Sequence, residues 1–575
     1  MKKTGAQIVV DALVREGVKV AFGYPGGTVI PIFDVLYDTK ELTLVLTRHE
    51  QGAAHAADGY ARATGQVGVC IATSGPGAMN VMTGVATAYL DSIPMVIITG
   101  QVASPLLGTD AFQEADIVGV SRSITKHNYL VKNVEDLPMT LKRAFHIART
   151  GRPGPVLVDV PIDIARSVLD NYEYPAGEVT MRSYKPTVEG HPKQIEKAAA
   201  MIAAAKKPLV FGGGGIISAG AHEELKTFVE STNIPVTLTL MGLGAFPGDH
   251  PLFIGMPGMH GGKCANRVLQ ECDLIISVGA RFDDRVTGFV AKFAPNASVI
   301  HIDVDPASVS KIIKVDVPVV GDAKNILAAL NKIIKPRAAD TWNETVNGWK
   351  GDKLFTYQPS SDEIKPQAVI EKLFDLTKGD AVVCTEVGQH QMWVAQYYKF
   401  LKPRTLISSG GLGTMGFGLP AAMGAALTNP GLPVFNVAGD GSIQMNIQEL
   451  ATIAINKIPV KLIILNNCYL GMVRQWQDLF YDKRYSSTCL RRGINCTPCK
   501  DPRDCKKIYT PDFIALAKAY GIEAFRAEKP ADVDEVLRKG IAVDGPAVME
   551  FMISLEENVF PMVPAGKSLD EILEG

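Results

Sequence analysis

Three stretches of the chain repeat one order of features: a short apolar run, a glycine-rich turn and a helical pattern. They are VGVCIATSGPGAMNVMTGVATAYL, KPLVFGGGGIISAGAHEELKTFVE and LPVFNVAGDGSIQMNIQELATIAI. This order is typical of βαβ units, in which a helix connects two parallel strands. We therefore predict an α/β protein with mainly parallel sheets. Ligands of such sheets bind beyond the carboxyl ends of the strands, so SGPG, FGGGG and GDGS are candidate binding loops.

Two polar segments rich in proline and glycine divide the chain, at about 172–192 and 336–366. Segments of this composition are typical of linkers, and 575 residues are enough for several separate cores. The predicted parts are an N-terminal domain over 1–170, a central domain over 190–335, a C-terminal domain over 365–555 and a tail over 556–575.

Composition argues against a nucleic-acid-binding, a membrane or a secreted protein. The formal net charge is −2 and the sequence pI is near 6.6, so nothing global favours binding to nucleic acid or to an anionic membrane surface. Charged residues interrupt the apolar N-terminal stretch at Asp11, Arg15 and Glu16, and no apolar run approaches the length of a membrane span. An odd number of cysteines, nine, fits a secreted disulfide framework poorly. We expect a cytoplasmic protein without nucleic-acid or membrane partners.

Two predicted strand ends carry side chains suited to a metal ion. The strand VFNVA leads into GDGS at 439–442, and the strand KLIIL leads into Asn466 and Asn467. A carboxylate and a carboxamide offer the hard oxygen ligands that Mg²⁺ prefers, and glycines let the backbone approach a phosphate. A Gly-Asp-Gly sequence by itself is typical of any tight turn. Its pairing with the two asparagines favours a metal site.

This pairing resembles the GDG…NN signature of thiamin-diphosphate enzymes. The resemblance implies that Asp440, Asn467 and the backbone carbonyl of Tyr469 bind the metal ion that holds the diphosphate. Thiamin chemistry also needs a carboxylate at N1′ of the aminopyrimidine, from a different domain. LTLVLTRHEQGAAHAADGYARATG places Glu50 where a strand passes into a helix. By itself, a glutamate in a first helical turn is more often explained by the helix dipole.

The string RHEQGAAHAADGYAR is similar to that of acetohydroxyacid synthase catalytic subunits, and the likeness covers nearly the whole chain. The further matching segments, in the family's order, are FGYPGG (22–27), TSGPGAMN (73–80), GTDAFQE (108–114), GRPGPVLVD (151–159), VGQHQMW (387–393), GLGTMGFGLPAA (411–422) and GMVRQWQ (471–477). The resemblance implies the thiamin-diphosphate-enzyme architecture: a pyrimidine-binding, a central FAD-binding and a diphosphate-binding domain. It also implies an active site between two chains, hence a homodimer or tetramer, and a small regulatory subunit.

The same resemblance assigns site residues. The residues implied at the reaction centre are Glu50, Gln113, Arg285, Met415 and Trp476. Met415 is implied to hold the cofactor in its bent form. Arg285 is implied to pair with the carboxylate of the second substrate, and Trp476 to pack on its alkyl group. The other residues implied to bind thiamin diphosphate are Val387, Gly388, Gln389, His390, Gly413, Gly441 and Ser442. RFDDRVTG, 281–288, matches the FAD signature of the biosynthetic enzymes. The implied FAD residues are Arg152, Gly213, Gly214, His260, Arg281, Asp283, Arg285, Asp303 and Asp322.

The implied reaction decarboxylates pyruvate on thiamin diphosphate and transfers the hydroxyethyl group to a second pyruvate or to 2-ketobutyrate. Three alternatives compete: a flavin-using relative such as pyruvate oxidase, a non-catalytic thiamin-binding relative, and a metal-dependent regulatory or nucleic-acid-binding protein. RFDDRVTG together with GMVRQWQ argues against the oxidase. Ala103 and Thr28 depart from common family residues beside the substrate channel, so ordinary herbicide sensitivity is not expected of this chain.

A cysteine-rich segment, 489–507, forms an insertion relative to common family members. Its cysteines are Cys489, Cys496, Cys499 and Cys505. Four thiolates could close a tetrahedral zinc site or hold an iron–sulfur cluster, yet the spacing lacks the paired CxxC of a zinc ribbon. A redox-sensitive thiol pair and a tolerated loop are the other interpretations of this segment.

Overall fold

The computed structural model describes residues 1–351, 353–428, 431–491, 493, 496 and 511–575. Within these residues, the strands form three parallel sheets and one short antiparallel pair. Each parallel sheet comes from one continuous part of the chain, so the predicted α/β class is confirmed. None of the helices in this described part is long and apolar enough to cross a membrane.

The first sheet comes from the N-terminal part of the chain. Strands there are β1 (Lys3–Thr4), β2 (Val20–Tyr24), β3 (Thr43–Leu46), β4 (Gly68–Ala72), β5 (Met95–Gln101), β6 (His127–Leu130), β7 (Pro155–Pro161) and β8 (Val168–Leu169). Helices are α1 (Gly5–Arg15), α2 (Ile30–Tyr37), α3 (Glu50–Thr64), α4 (Pro76–Asn80), α5 (Met82–Asp91), α6 (Ile117–Ser121), α7 (Leu137–Arg149) and α8 (Ile162–Arg166). The sheet order is β3-β2-β4-β5-β7-β6, and β1 pairs with β8. The central strands β4, β5 and β7 are buried throughout, as expected of parallel strands beneath helices.

The second sheet has five strands in the order β10-β9-β11-β12-β13. These are β9 (Pro208–Gly212), β10 (Val236–Leu238), β11 (Leu274–Val278), β12 (Ser298–Asp303) and β13 (Val317–Val320). The helices around it are α9 (Pro192–Ala204), α10 (Gly214–Ala219), α11 (His222–Thr232), α12 (Lys263–Glu271), α13 (Asp284–Thr287) and α14 (Ala323–Ile333).

The second predicted linker, 336–366, contains a helix, α15 (Thr341–Lys350). Asp340 caps its N-terminus by accepting hydrogen bonds from the backbone N–H groups of Trp342 and Asn343. The indole N–H of Trp342 donates to the carbonyl of Pro208 at 3.1 Å, and Trp342 is buried in the core of the second sheet. The linker interpretation was therefore wrong for this stretch, because the burial of Trp342 holds it as a helix against the second sheet despite its polar composition.

The third sheet has six strands in the order β15-β14-β16-β17-β19-β18. They are β14 (Val382–Thr385), β15 (Leu406–Ile407), β16 (Val434–Gly439), β17 (Val460–Asn466), β18 (Glu523–Ala527) and β19 (Ala547–Met552). Its helices are α16 (Pro366–Thr377), α17 (Gln389–Tyr397), α18 (Gly418–Ala426), α19 (Glu449–Ile455), α20 (Gly471–Phe480), α21 (Phe513–Ala519) and α22 (Val533–Ala542).

Helices α3 and α18 join the first and third parts of the chain through very close packing. A Cβ added at Gly59 would lie 2.1 Å from the carbonyl oxygen of Ala421, and one at Gly424 would lie 1.9 Å from that of Ala56. Since these contacts are with backbone atoms, glycine is required at both positions. The two helices place the N-terminal and C-terminal sheets in one fixed relation.

The tail after β19 runs back to the central part of the chain. Val563 and Leu569 are buried in the same apolar cluster as Phe211 and Phe282. Gln270 of α12 donates hydrogen bonds to Ser568 and Asp570, both at 3.1 Å. The tail therefore fastens the central and C-terminal parts to each other.

The stability of the fold should depend on pH through Asp159 of β7. Asp159 is 1% exposed, and burial, which outweighs hydrogen bonds from Thr99 and Gln101, raises its pKa from 3.8 to about 7. Between these values the folded chain holds a proton that the unfolded chain releases, so this group's contribution to stability falls by up to about 1.4 kcal/mol per pH unit as pH rises. Asp159→Asn should therefore gain in Tm relative to the wild type between pH 5 and pH 8. Scanning calorimetry at both values tests this; parallel Tm curves would contradict it.

Candidate active site

The predicted metal ligands follow neighbouring strands. β16 pairs with β17 in parallel, with Gly439 opposite Leu465, so Asp440 and Asn467 emerge at one sheet edge. Both line a cavity of about 60 Å³, together with Tyr469. Asp440 is 1% exposed, and its Oδ2 has no hydrogen-bond partner among the described residues. Burial raises the pKa of Asp440 to about 7. An unpartnered buried carboxylate oxygen beside a carboxamide and a carbonyl is a donor set that fits Mg²⁺.

The segment Val387–His390 lines the same cavity at the N-terminus of α17. Gly388 and Gly439 both approach the ring of His390, since an added Cβ at either would lie 2.9 Å from a ring atom. His390 is buried, its Nε2 has no partner within the described part of the chain, and burial lowers its pKa to about 3. A neutral imidazole and a helix N-terminus are suitable groups for binding a diphosphate. Gly441 and Ser442 also line the cavity.

Met415 also lines this cavity, and its loop is held from several sides. The buried carboxylate of Glu386 accepts hydrogen bonds from the backbone N–H groups of Gly416, at 2.7 Å, and Leu419, at 3.0 Å. Thr414 contacts Thr87 of α5 through their hydroxyl groups, 2.8 Å apart. Burial raises the pKa of Glu386 to about 7. Sequence reasoning missed Glu386; the available signal was an acidic residue directly before VGQHQ at a strand end.

Glu50 and Gln113 lie elsewhere, beside the SGPG loop. Glu50 is 9% exposed and accepts a hydrogen bond from Asn80 at 3.0 Å. An added Cβ on Gly77 would lie 3.1 Å from Glu50 Oε1, and one on Gly75 would lie 2.7 Å from the carbonyl oxygen of Gln113. Of the two cavities described in this chain, neither has Glu50 or Gln113 in its lining.

Thr28 and Ala103, the two positions predicted to differ from common family residues, make different contacts. The hydroxyl group of Thr28 accepts a hydrogen bond from the backbone N–H of Ser74 at 3.1 Å. It also lies 3.0 Å from the hydroxyl group of Thr73. It therefore adds a contact to the SGPG loop. The carbonyl of Ala103 accepts a hydrogen bond from Leu106.

A larger cavity of about 940 Å³ extends along the central sheet. Its lining includes eight of the predicted FAD residues: Arg152, Gly214, His260, Arg281, Asp283, Arg285, Asp303 and Asp322. Gly213 does not line it, because Gly213 packs against the turn that follows β11, where an added Cβ would lie 2.4 Å from the carbonyl oxygen of Gly279. Burial and Arg285 lower the pKa of His260 to about 4, and its Nδ1 has no partner among the described residues.

The two cavities share wall residues Val387, Gly388 and Met472. Near this junction the guanidinium of Arg285 lies 5.8 Å from the centre of the Trp476 ring. Both side chains and Gly413 line the larger cavity. The tertiary structure thus brings together an arginine of the central part and a tryptophan of the C-terminal part, which the sequence analysis paired for one substrate.

The cysteine-rich segment begins beside Cys468 and Tyr469, which directly follow the predicted metal ligand Asn467. Cys489 forms an antiparallel bridge with Tyr469, and the N–H of Leu490 donates to the carbonyl of Cys468 at 3.0 Å. Cys499 and Cys505 lie outside the described residues. Within the described part of the chain, no group of three or more His, Cys, Asp or Glu side chains could hold a metal ion. Zinc, an iron–sulfur cluster or a thiol pair at this segment stays a prediction.

Three family models match successive parts of the chain. They describe thiamine pyrophosphate enzymes: the N-terminal TPP binding domain over residues 3–120, the central domain over 195–330 and the C-terminal TPP binding domain over 386–551. These matches and the described site place the chain in the class of thiamine pyrophosphate enzymes.

Full-length relatives narrow this class. The chain is 48% identical over 580 residues to the acetolactate synthase isozyme 3 large subunit of Escherichia coli (strain K12), covering 99% of this chain and 98% of that protein. It is 49% identical over 579 residues to the acetolactate synthase large subunit of Corynebacterium glutamicum, covering 99% and 90%. It is 46% identical over 580 residues to the probable acetolactate synthase large subunit of Methanocaldococcus jannaschii, covering 99% and 95%. The chain belongs to the family of acetolactate synthase large subunits, and the predicted resemblance is confirmed.

Proposed function

We propose that this chain is the catalytic subunit of an acetolactate synthase. It decarboxylates pyruvate on thiamin diphosphate and transfers the hydroxyethyl group to a second pyruvate or to 2-ketobutyrate, the first common step of branched-chain amino-acid biosynthesis. The observation that carries this proposal is the pair of adjoining cavities: Asp440 and Asn467 line one, and Arg285 and Trp476 line the other. The names of the full-length relatives support the same reaction rather than that of a pyruvate oxidase.

The small cavity is the proposed diphosphate site. Asp440, Asn467 and the carbonyl of Tyr469 would hold Mg²⁺, and His390 with the N-terminus of α17 would bind the diphosphate oxygens. When bound, thiamin diphosphate would supply a carbon acid that, once deprotonated, is a nucleophile for a carbonyl group, and a ring that can hold the electron pair left by CO₂. Oδ2 of Asp440 and Nε2 of His390 have no hydrogen-bond partner among the described residues, and this favours the assignment.

Glu50 is the proposed proton-transfer group and would exchange a proton with N1′ of the cofactor's aminopyrimidine. Because Glu50 lines neither described cavity of its own chain, a second copy would have to supply it to the diphosphate site. The proposed catalytic unit is therefore a homodimer or a tetramer built from such dimers. A small regulatory subunit is a further proposed partner, since the relatives are named large subunits.

The larger cavity is the proposed FAD site and the entry for substrate. Its volume of about 940 Å³ is in the range of cofactor pockets, about 300–1,000 Å³, and the unpartnered Nδ1 of buried His260 can bond a ligand. FAD there would be structural, since the net reaction transfers no electrons. Arg285 would pair with the carboxylate of the second keto acid, for which a planar guanidinium is suited, and Trp476 would pack on its alkyl group.

Acetolactate formation should require both thiamin diphosphate and Mg²⁺. Dialysis against a chelator should abolish the activity, and only the two additions together should restore it, because Asp440 and Asn467 reach the diphosphate through the metal. A colorimetric acetolactate assay with pyruvate alone, and with pyruvate and 2-ketobutyrate in competition, measures this. Oxygen consumption followed in parallel is the control: pyruvate-dependent oxygen uptake without acetolactate would overturn the proposal in favour of an oxidase.

A further inference from the structure

A chain of buried carboxamides connects the metal ligand Asn467 to the tail. Asn467 Nδ2 donates to Gln389 Oε1 at 3.4 Å, and Gln389 Nε2 donates to Gln475 Oε1 at 2.9 Å. Gln475 in turn contacts the backbone of Val559 twice: its Nε2 donates to the carbonyl at 3.0 Å, and its Oε1 accepts from the N–H at 2.8 Å. Gln475 is fully buried, and the other two amides are at most 5% exposed.

The tail backbone fixes the orientation of the two glutamine carboxamides in this chain. A side-chain amide can exchange its oxygen and nitrogen by rotating, whereas a backbone N–H is only a donor and a carbonyl is only an acceptor. Val559 offers one of each to Gln475, so only one orientation satisfies both. Gln389 is fixed in the same way, since its Nε2 also donates to the carbonyl of Glu557 at 3.0 Å.

The consequence reaches the metal ligand. With Gln389 Oε1 directed at Asn467, the nitrogen of the Asn467 amide must lie on that side. Its oxygen lies on the opposite side, where it accepts a hydrogen bond from the N–H of Tyr469 at 3.1 Å. Metal ions such as Mg²⁺ bind carboxamides through oxygen, so the reversed orientation would remove this ligand.

We propose that Gln475 is a positioning residue for the metal site, transmitting the fixed polarity of tail residues Glu557 and Val559 to the carboxamide of Asn467. The inference rests on the proposed metal site and extends it beyond the TPP domain, since the match to the family's C-terminal domain ends at residue 551. Space for the chain of amides exists because position 471 is glycine: a Cβ there would lie 2.1 Å from Gln389 Oε1.

The test is the binding of Mn²⁺ to the full-length protein with saturating thiamin diphosphate, measured from the free-Mn²⁺ signal in electron paramagnetic resonance. Gln475→Met keeps the size and removes both polar atoms; we expect the Kd for Mn²⁺ to rise about tenfold or more, as for other groups that orient metal ligands. Gln475→Glu keeps the oxygen that accepts from Gln389 and should bind Mn²⁺ more tightly than Gln475→Met. It also serves as the second variant if the methionine protein fails to fold.

Gln270→Met is the matched control, because Gln270 is a buried glutamine that fastens the tail at Ser568 and Asp570 without any link to Asn467. Its Kd should stay within about twofold of the wild type. Equal Kd values for wild type and Gln475→Met would overturn the proposal, and so would equal weakening by Gln475→Met and Gln270→Met, which would indicate loosening of the tail in general. If the wild type itself binds no Mn²⁺, the proposed metal site is wrong. That outcome differs from a wrong positioning role, in which the wild type binds Mn²⁺ and Gln475→Met binds it equally well.

Discussion

Glu50→Gln is expected to lower acetolactate formation by about 10²- to 10⁴-fold, the usual contribution of a positioned proton-transfer group. Glutamine keeps the shape and an oxygen for the hydrogen bond from Asn80, but it cannot exchange a proton with the aminopyrimidine. Thiamin diphosphate and metal binding should persist, because those groups come from the C-terminal sheet. The measurements are the acetolactate assay and cofactor titration by intrinsic fluorescence.

Two controls sharpen this prediction. Glu16→Gln changes another largely buried carboxylate of the N-terminal part, one that accepts from Tyr174 at 2.7 Å, and should keep activity within about twofold. Glu50→Gln mixed and refolded with Asp440→Asn tests the two-chain site: if the glutamate and the metal ligands come from different chains, each mixed dimer regains one intact site. Full activity of Glu50→Gln alone would refute the assignment, and no recovery on mixing would refute the shared site.

Arg62→Met is expected to destabilise the protein by about 3–5 kcal/mol, the range for breaking a buried ion pair by removing one partner. Arg62 lies between Asp58, to which its Nε donates, and Asp91, whose Oδ2 is 2.9 Å from its Nη2. Its Nη1 also donates to the carbonyl of Ser408 at 2.8 Å, across the contact between the N-terminal and C-terminal parts. Without the guanidinium, two buried carboxylates remain uncompensated, and burial already raises the pKa of Asp58.

The effect should reach the active-site loop. Asp91 accepts hydrogen bonds from the backbone N–H groups of Gly410 and Gly411, which lie five and four residues before Met415. We therefore expect weaker thiamin diphosphate binding together with a lower Tm in Arg62→Met. This loss of Tm should shrink at acid pH, because burial raises the pKa of Asp58 and its carboxyl group can take up a proton instead of remaining charged.

A matched control for this prediction lies on α22. Arg538 and Asp534 form a pair with the same four-residue spacing as Arg62 and Asp58, but both side chains are exposed. Arg538→Met should leave Tm unchanged within error, because solvent screens exposed pairs. Calorimetric Tm values for both variants, at low and high salt, measure the difference. Equal shifts in the two variants would show that burial is not the cause.

Local patterns predicted the elements of the site that lie at strand ends. GDGS and the two asparagines follow apolar strand runs, and parallel strands bring their carboxyl ends to one sheet edge, so the sequence is enough to pair Asp440 with Asn467. Family resemblance added Glu50, Met415 and Trp476, because their motifs are continuous strings. Composition misassigned the stretch around α15 as a linker, because the burial of Trp342 depends on a partner 134 residues away in the sequence.

The sequence by itself determined the α/β class, the family and the binding loops, because each is encoded in short runs with a local physical reason. Only the tertiary structure decided how those loops are held: Glu386 beneath the Met415 loop, Arg62 across two parts of the chain, and Gln475 between Asn467 and Val559. Each of these side chains is buried among residues distant in sequence, where a hydrogen bond follows from the packing of whole elements. No periodicity or spacing in the chain specifies such a partner, so it becomes visible only once the sheets and the tail are in place.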